Sequence, residues 1–518
     1  MIDDFYDVIV VGSGPTGLAA AFMASSMNKK VLMVDIGMVE KVNTTQLKSN
    51  LRDLIDNKKN FSSARKEYLQ QIRKNDPRLK SHVGSKTHFG DDFSYTEIAN
   101  IFKGVETPNR GIPMFSSTAR GGLSNVWGSI CSPFPIGSKY DFKFDGFKML
   151  EGIIRLAASS DALDDVYGPP IEGGHESLNP SKLAQSILDR YEALRDRKAV
   201  NNLRLGKTRV AVNNDNGVSS CVYCGLCTIG CPRDAIWNSR FKLNELRERK
   251  NFTYQPGQKI LQINDHGSFV SVTSEIGRVF SAHRVFLALG SINSIVLLLQ
   301  SGILKEEVRL LDTQLVVVPT FSKRRTSFNE PAFTLSNLIG SYFEPALTSR
   351  AFIQFTTPAF DFSSRVLGRF KFLKVVPKWF LNEVVKWTSV TMIFLPDKIS
   401  GFLQISRGVN GSVKIDLVPR NAETCKILVK RICQQFRIFR VLPVSTFAQY
   451  VGVAESYHVG SARNVNGDCI FDENGQVESS KRIHVVDTCA LSELHAGPIT
   501  YVAMANAAKI AKVACEAI

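Results

Sequence analysis

Residues 5–17, Phe5-Tyr6-Asp7-Val8-Ile9-Val10-Val11-Gly12-Ser13-Gly14-Pro15-Thr16-Gly17, decide how the fold of this 518-residue chain is read. The β-branched run ending at Val11 suits a parallel strand buried on both faces, and the glycine turn opens directly into a helical stretch, LAAAFMASSM. A second short strand, Val31 to Val34, ends at Asp35, 23 residues after Gly12. Strand, glycine turn, helix and acid in this order form a dinucleotide-binding fingerprint. Gly12 permits the tight turn, Gly14 lets backbone approach a pyrophosphate, and Gly17 lets helix and strand pack closely. Pro15 and Thr16 start the helix, whose free N–H groups and positive dipole end face the phosphates. Asp35 stands where a carboxylate takes a ribose hydroxyl. The pattern predicts an α/β fold with a Rossmann-type sheet, and by itself it does not separate nicotinamide from flavin.

The far end of the chain separates them. Arg482 to Asp487 reads as another buried strand ending in an acid, and after the turn HAGPIT comes a small-residue helix, YVAMANAAKIAKVACEAI. That second strand–turn–helix can aim its N-terminus at an isoalloxazine ring, a device nicotinamide dehydrogenases do not need there. Between the two ends, Arg284 to Ser291 is a buried strand running into Gly290-Ser291 and the helix INSIVLLLQSGI. The reading favours FAD.

Four segments, in order, now resemble the glucose-methanol-choline (GMC) oxidoreductase family: VVGSGPTG, then Arg120 to Gly128 (RGGLSNVWG), ALGSINSIVLLLQSGI, and SYHVGSARN leading through VVDTCALSELHAGPITYVAMANA. The resemblance covers the flavin framework and leaves roughly 45–115, 135–205 and 311–450 unmatched. It implies a Rossmann-type FAD-binding domain from 1–45, 116–134, 206–310 and 455–518, with a mixed-sheet α+β substrate or cap domain from 46–115, 135–205 and 311–454. It implies bound FAD, held also by Gly122, Ser124, Asn125, Gly128, Ala288, Gly290, Asp487, Pro498, Ile499 and Thr500. The implied reaction oxidises a hydroxyl group of an alcohol or sugar, hydride leaving carbon for the flavin while a base takes the hydroxyl proton. His458 matches the family's catalytic histidine, and imidazole titrates in the right range for a general base. The family's second His or Asn, near the last Pro/Thr turn, is absent: Gly497 precedes Pro498, and His495 is the nearest candidate. The other histidines (His82, His88, His175, His266, His283 and His484) read as structural or surface residues.

Ten cysteines occur, four of them within Cys221-Val-Tyr-Cys224-Gly-Leu-Cys227-Thr-Ile-Gly-Cys231-Pro. This C-x2-C-x2-C-x3-C-P run has the spacing of bacterial ferredoxin loops and points to a [4Fe–4S] cluster, with Gly225 and Gly230 letting the backbone curl. In two-cluster ferredoxins the fourth cysteine serves the other cluster, so either Cys231 or the distant Cys131 closes the set. An empty thiol loop and a zinc site are the competing readings, zinc the weaker because structural sites usually join two separated pairs. A cluster would hand on electrons one at a time. That makes a dehydrogenase feeding an electron-carrier protein or quinone the leading reading. The rivals are an oxygen-using oxidase without a cluster and, given Gly497, a non-catalytic electron-transfer flavoprotein.

Net charge is +16 with pI about 9.3, yet no nucleic-acid motif is present. The stretch 365–387, RVLGRFKFLKVVPKWFLNEVVKW, alternates basic and aromatic residues around Pro377. It fits equally an anionic membrane surface and a lobe packing its aromatics over the site mouth. No run reaches the roughly 18–20 apolar residues of a membrane span, and Asp3 and Asp4 stand where a secretory leader would be. A cytoplasmic, metal-binding flavoprotein is therefore expected, with peripheral membrane contact left open.

Overall fold

A computed structural model describes residues 5–39, 42–56, 93–107, 114–171, 174–197, 200, 202–228, 230–323, 331–357, 377–408, 411–455 and 458–518. The expected architecture is present: a Rossmann-type parallel sheet beside mixed and antiparallel sheets. The opening run forms β1 (Tyr6–Val11), in which Val8, Ile9 and Val10 are wholly buried, followed by α1 (Pro15–Ser26) and β2 (Val31–Val34). β1 pairs in parallel with β2 and with Val279–Leu287, which pairs in parallel with Ser480–Val485; Phe252–Gln255 adds to β2. An antiparallel pair, Ile260–Asp265 and Val270–Ser274, and a short edge strand, Gln476–Val477, complete eight strands. Both ends of the chain therefore meet in one sheet. α1 packs on the C-terminal helix Thr500–Glu516, and buried alanines on both sides (Ala20, Ala21 and Ala24; Ala503, Ala507 and Ala511) let the two axes approach closely.

A seven-stranded antiparallel sheet runs in the order Val441–Pro443, Leu315–Ser322, Thr388–Phe394, Ser349–Thr356, Leu338–Glu344, Leu203–Lys207, with Gln449–Tyr450 beside the second. Successive side chains of a strand take opposite faces, and the burial follows that rule. Ile353 and Phe355 pack with the helices Lys182–Asp196 and Ala422–Arg437 through Ile187, Leu188, Leu428 and Ile432. Phe352, from the opposite face, joins Phe394, Phe333, Tyr167 and Ala496 in a separate cluster. A five-stranded sheet, Val459–Arg463, Val308–Asp312, Phe402–Arg407, Val413–Val418 and Val105–Glu106, carries His458 at its edge. Of the basic aromatic stretch, 365–376 lies outside the described residues; Pro377 stands at the N-terminal cap of the helix Lys378–Val385. The polar, helical-looking region 45–80 begins in the helix Val42–Asp56, and its remainder lies outside the described residues.

Candidate active site

The glycine turn, the Gly122–Ser124 segment, the Ala288–Asn293 turn and the Ile499–Thr500 turn converge on one open cleft. Twelve of the expected cofactor residues line it: Gly12, Gly14, Pro15, Thr16, Asp35, Gly122, Ser124, Ala288, Gly290, Asp487, Ile499 and Thr500. The other four stand behind. Gly17 is held by packing, since a Cβ there would lie 2.0 Å from the Gly12 carbonyl oxygen and 3.0 Å from the Ala288 Cβ. Gly12 itself has φ +106°, and a Cβ would meet the Ala288 oxygen at 2.4 Å. Asn125 donates to the Arg120 and Gly122 carbonyls at 3.0 and 2.9 Å, fixing that loop. Around Gly128 nothing requires a glycine, and Pro498 is a half-buried residue of the turn before the last helix.

Three helix N-termini reach the cleft without side-chain caps, at Gly14, Gly290 and Ile499. Their first N–H groups lack intrahelical partners, and the dipoles add positive character, which is what a pyrophosphate and an electron-rich ring need. At the end of β2, Asp35 accepts from Ser13 Oγ and from Tyr254 Oη (3.3 Å). Burial raises its pKa to about 6 despite both hydrogen bonds. Asp487 is buried against Ser294 Oγ and the Cys489 backbone N–H (3.3 Å), and burial likewise raises its pKa. The acceptors Gln258 Oε1 and Asn293 Oδ1 are buried with no hydrogen-bond partner among the described residues, and both residues line the cleft. Free N–H ends, a ribose-height carboxylate and orphaned acceptors fit a dinucleotide with a polar ring.

Sequence reading missed the support beneath the turn. Ser239 Oγ donates to the Ser13 and Gly121 carbonyls at 3.0 and 2.9 Å, and Ser124 Oγ donates to Gly121 at 2.6 Å. Gly121 has φ +89°, and a Cβ there would lie 2.8 Å from Asn238 Oδ1. The only signal was Asn238-Ser239, a helix start seven residues beyond the cysteine run.

His458 precedes Val459, which lines the cleft, and its ring lies edge-on to Phe394 with centroids 4.5 Å apart. His495 sits elsewhere in contact terms: Nε2 is 3.4 Å from Glu493 Oε2, and the ring packs 5.1 Å from Phe134, with a third of the side chain exposed. Gly497 has φ +137°, and a Cβ there would come within 3.3 Å of the Phe352 ring. Phe352 thus crowds the position where a second polar side chain was expected.

The four clustered thiols, Cys221, Cys224, Cys227 and Cys231, border one small cavity with about 340 Å³ of empty space, together with Phe333, Ala235 and Ile236. Gly225 (φ +76°) and Gly230 (φ +121°) make the curl. Burial, then the neighbouring thiols, raise the Cys221 pKa to about 12, and Cys224 and Cys231 are raised by the same causes. Cys131 is not among them; it is buried in the main core, with Sγ 3.5 Å from the Ser129 carbonyl. Among the described residues no three His, Cys, Asp or Glu side chains are grouped to hold a metal ion.

No family model and no curated protein matches this sequence. The fold is similar to that of pyridoxine 4-oxidase from Mesorbium loti. The two share 14% identity with a TM-score of 0.58, over 98% of this chain and 98% of the other. At that identity the likeness shows the fold.

Proposed function

We propose that the chain is an FAD-dependent oxidoreductase of the GMC type that oxidises a hydroxyl group of an alcohol or sugar. The observation that carries this is the convergence of both chain ends on one cleft, with His458 beside it. FAD would lie with its pyrophosphate at the α1 N-terminus, its ribose at Asp35 and its ring toward Ile499, and it supplies a two-electron acceptor for hydride. His458 takes the substrate hydroxyl proton, and Phe394, edge-on to that ring, shields it from water. His495 remains the candidate for the second position, and its pairing with Glu493 makes it the weaker of the two. The similar fold of an oxidase named for pyridoxine supports hydroxyl oxidation in kind.

On this reading Cys221, Cys224, Cys227 and Cys231 would hold a [4Fe–4S] cluster, which would supply one-electron transfer toward a carrier protein or quinone. Four thiols bordering one cavity, at the spacing of ferredoxin loops, support this reading. The path between the sites is short in sequence. Trp237, next to the cavity residue Ile236, accepts at its carbonyl from Trp127 Nε1 (2.8 Å), and Trp127 lines the cleft. A peripheral contact through 365–387 would bring a lipid-soluble quinone within reach. The second reading is an oxygen-using oxidase with an empty thiol loop, favoured by the fold's likeness to an oxidase.

The test is anaerobic mixing with a panel of alcohols and sugars, watching the flavin absorbance. Bleaching by at least one of them is expected, and His458→Ala should slow it by about 10²–10⁴-fold while retaining the flavin. Unchanged bleaching in that variant would remove His458 as the base. Fast reoxidation by oxygen in cluster-free protein would select the oxidase.

A further inference from the structure

Away from the cleft and the cysteine loop, six large hydrophobic side chains stand exposed near one end of the seven-stranded sheet: Phe321, Trp379, Phe380, Trp387, Leu442 and Phe447. The strand pairings gather them. Phe321 lies opposite Thr388 on one side and Leu442 on the other, and directly opposed residues share a sheet face with Cβ atoms about 5 Å apart. Trp387 precedes Thr388, and its carbonyl accepts from the Ser322 N–H at 2.8 Å. The helix Lys378–Val385 runs into it, the Trp387 N–H donating to Val384 at 3.0 Å, while Trp379 and Phe380 meet edge-on at 5.9 Å. Phe447 ends the turn after Val441–Pro443, tied to the same strand by the Val444 N–H donating to Pro319 at 2.9 Å. Trp379 is 70% exposed, a large apolar ring left in water.

Charge follows the same segments. Along the segments that carry these rings the described basic residues include Lys323, Lys386, Arg437 and Arg440, and the helix acid Glu383 pairs with Lys386. Of these, Lys323, Arg437 and Arg440 are exposed.

We propose that this end of the sheet docks on an anionic lipid bilayer, its aromatic rings entering the interface and its Lys and Arg facing headgroup phosphates. Aromatic rings with an apolar body, set beside exposed basic residues, match both layers of such an interface. No helix among the described residues is long and apolar enough to cross a membrane, so the contact lies on the surface. An acidic protein would match the charges alone. The surface stands independently of the flavin chemistry, because none of its residues lines the cleft.

The full chain is to be sedimented with phosphatidylcholine vesicles, with and without phosphatidylglycerol, at low salt, following tryptophan emission. Sedimentation with the anionic vesicles and a blue shift are expected, both weakening as salt is added. Trp379→Ser with Trp387→Ser should abolish the shift, since Trp127 and Trp237 already pack against each other inside the protein. Lys323→Gln or Arg437→Gln should each weaken binding about fivefold. These positions are exposed, so a retained melting temperature certifies the fold. The proposal is overturned if the intact chain ignores anionic vesicles, or if the tryptophan variant binds them as well as the parent. Self-association that buries Trp379 without vesicle binding would assign the face to a second copy, and binding to an acidic polypeptide alone would assign it to a protein partner.

Discussion

The flavin cleft and the cysteine cavity share one stretch of backbone: Ala235 and Ile236 border the cavity, and Ser239 pins the Gly121 loop under the cleft. They differ in what the bare polypeptide must build. A dinucleotide is bound through backbone N–H groups and close approach, so the glycine turns, uncapped helices and orphaned acceptors stand ready in the fold. An iron–sulfur cluster is bound through four side-chain sulfurs, and spacing names the thiols without requiring that they be drawn up around metal beforehand. The cleft is accordingly much the roomier of the two, while among the described residues the cavity lacks any single-ion grouping.

The sharpest way to break that contrast is at the thiols. Cys231→Ser should remove all or most of the iron while leaving the flavin, and Cys131→Ser should leave both, as iron, sulfide and flavin content will show. If Cys131→Ser strips the iron instead, the shared cavity is not the cluster site. Next in size is Gly17→Ala, where overpacking against Gly12 should cost about 1–3 kcal/mol and weaken FAD binding roughly tenfold to hundredfold, measured by titrating stripped protein. The iron content should not follow it.

Asp35 supplies a gentler probe. Burial pushes its carboxyl up to about 6, and a ribose hydroxyl would donate to the ionised form. Below about pH 6 binding must expel a proton, so FAD affinity should fall by about tenfold per pH unit there and level off above it. Asp35→Asn should flatten the profile. The smallest effect is expected at Gly497→Ala, where positive φ and the Phe352 ring together should cost about 1–3 kcal/mol in stability, read from a denaturant melt.

Legibility from sequence followed the same divide. Both strand–turn–helix units could be read because each is local: β-branched strand, glycine turn and helix lie within thirty-odd residues, and their chemistry needs those residue types. The seven-stranded sheet could not, since its neighbours Leu203–Lys207 and Leu338–Glu344 stand far apart in the chain and only long-range register joins them. The same limit hid Phe352 behind Gly497, Asn238 and Ser239 beneath the glycine loop, and the grip of Lys48 and Arg52 on Asp234 beside the cysteine run. The choice between Cys131 and Cys231 was likewise open in the sequence, because spacing cannot place a thiol ninety residues upstream; the fold buries Cys131 in another core.

The most direct test of the central claim is the absorption spectrum and extracted cofactor content of the chain purified without oxygen. Flavin bands from FAD bound to every chain are expected, diminished in Gly17→Ala and kept in Cys231→Ser. Protein that carries no flavin and takes up none when FAD is offered would contradict it.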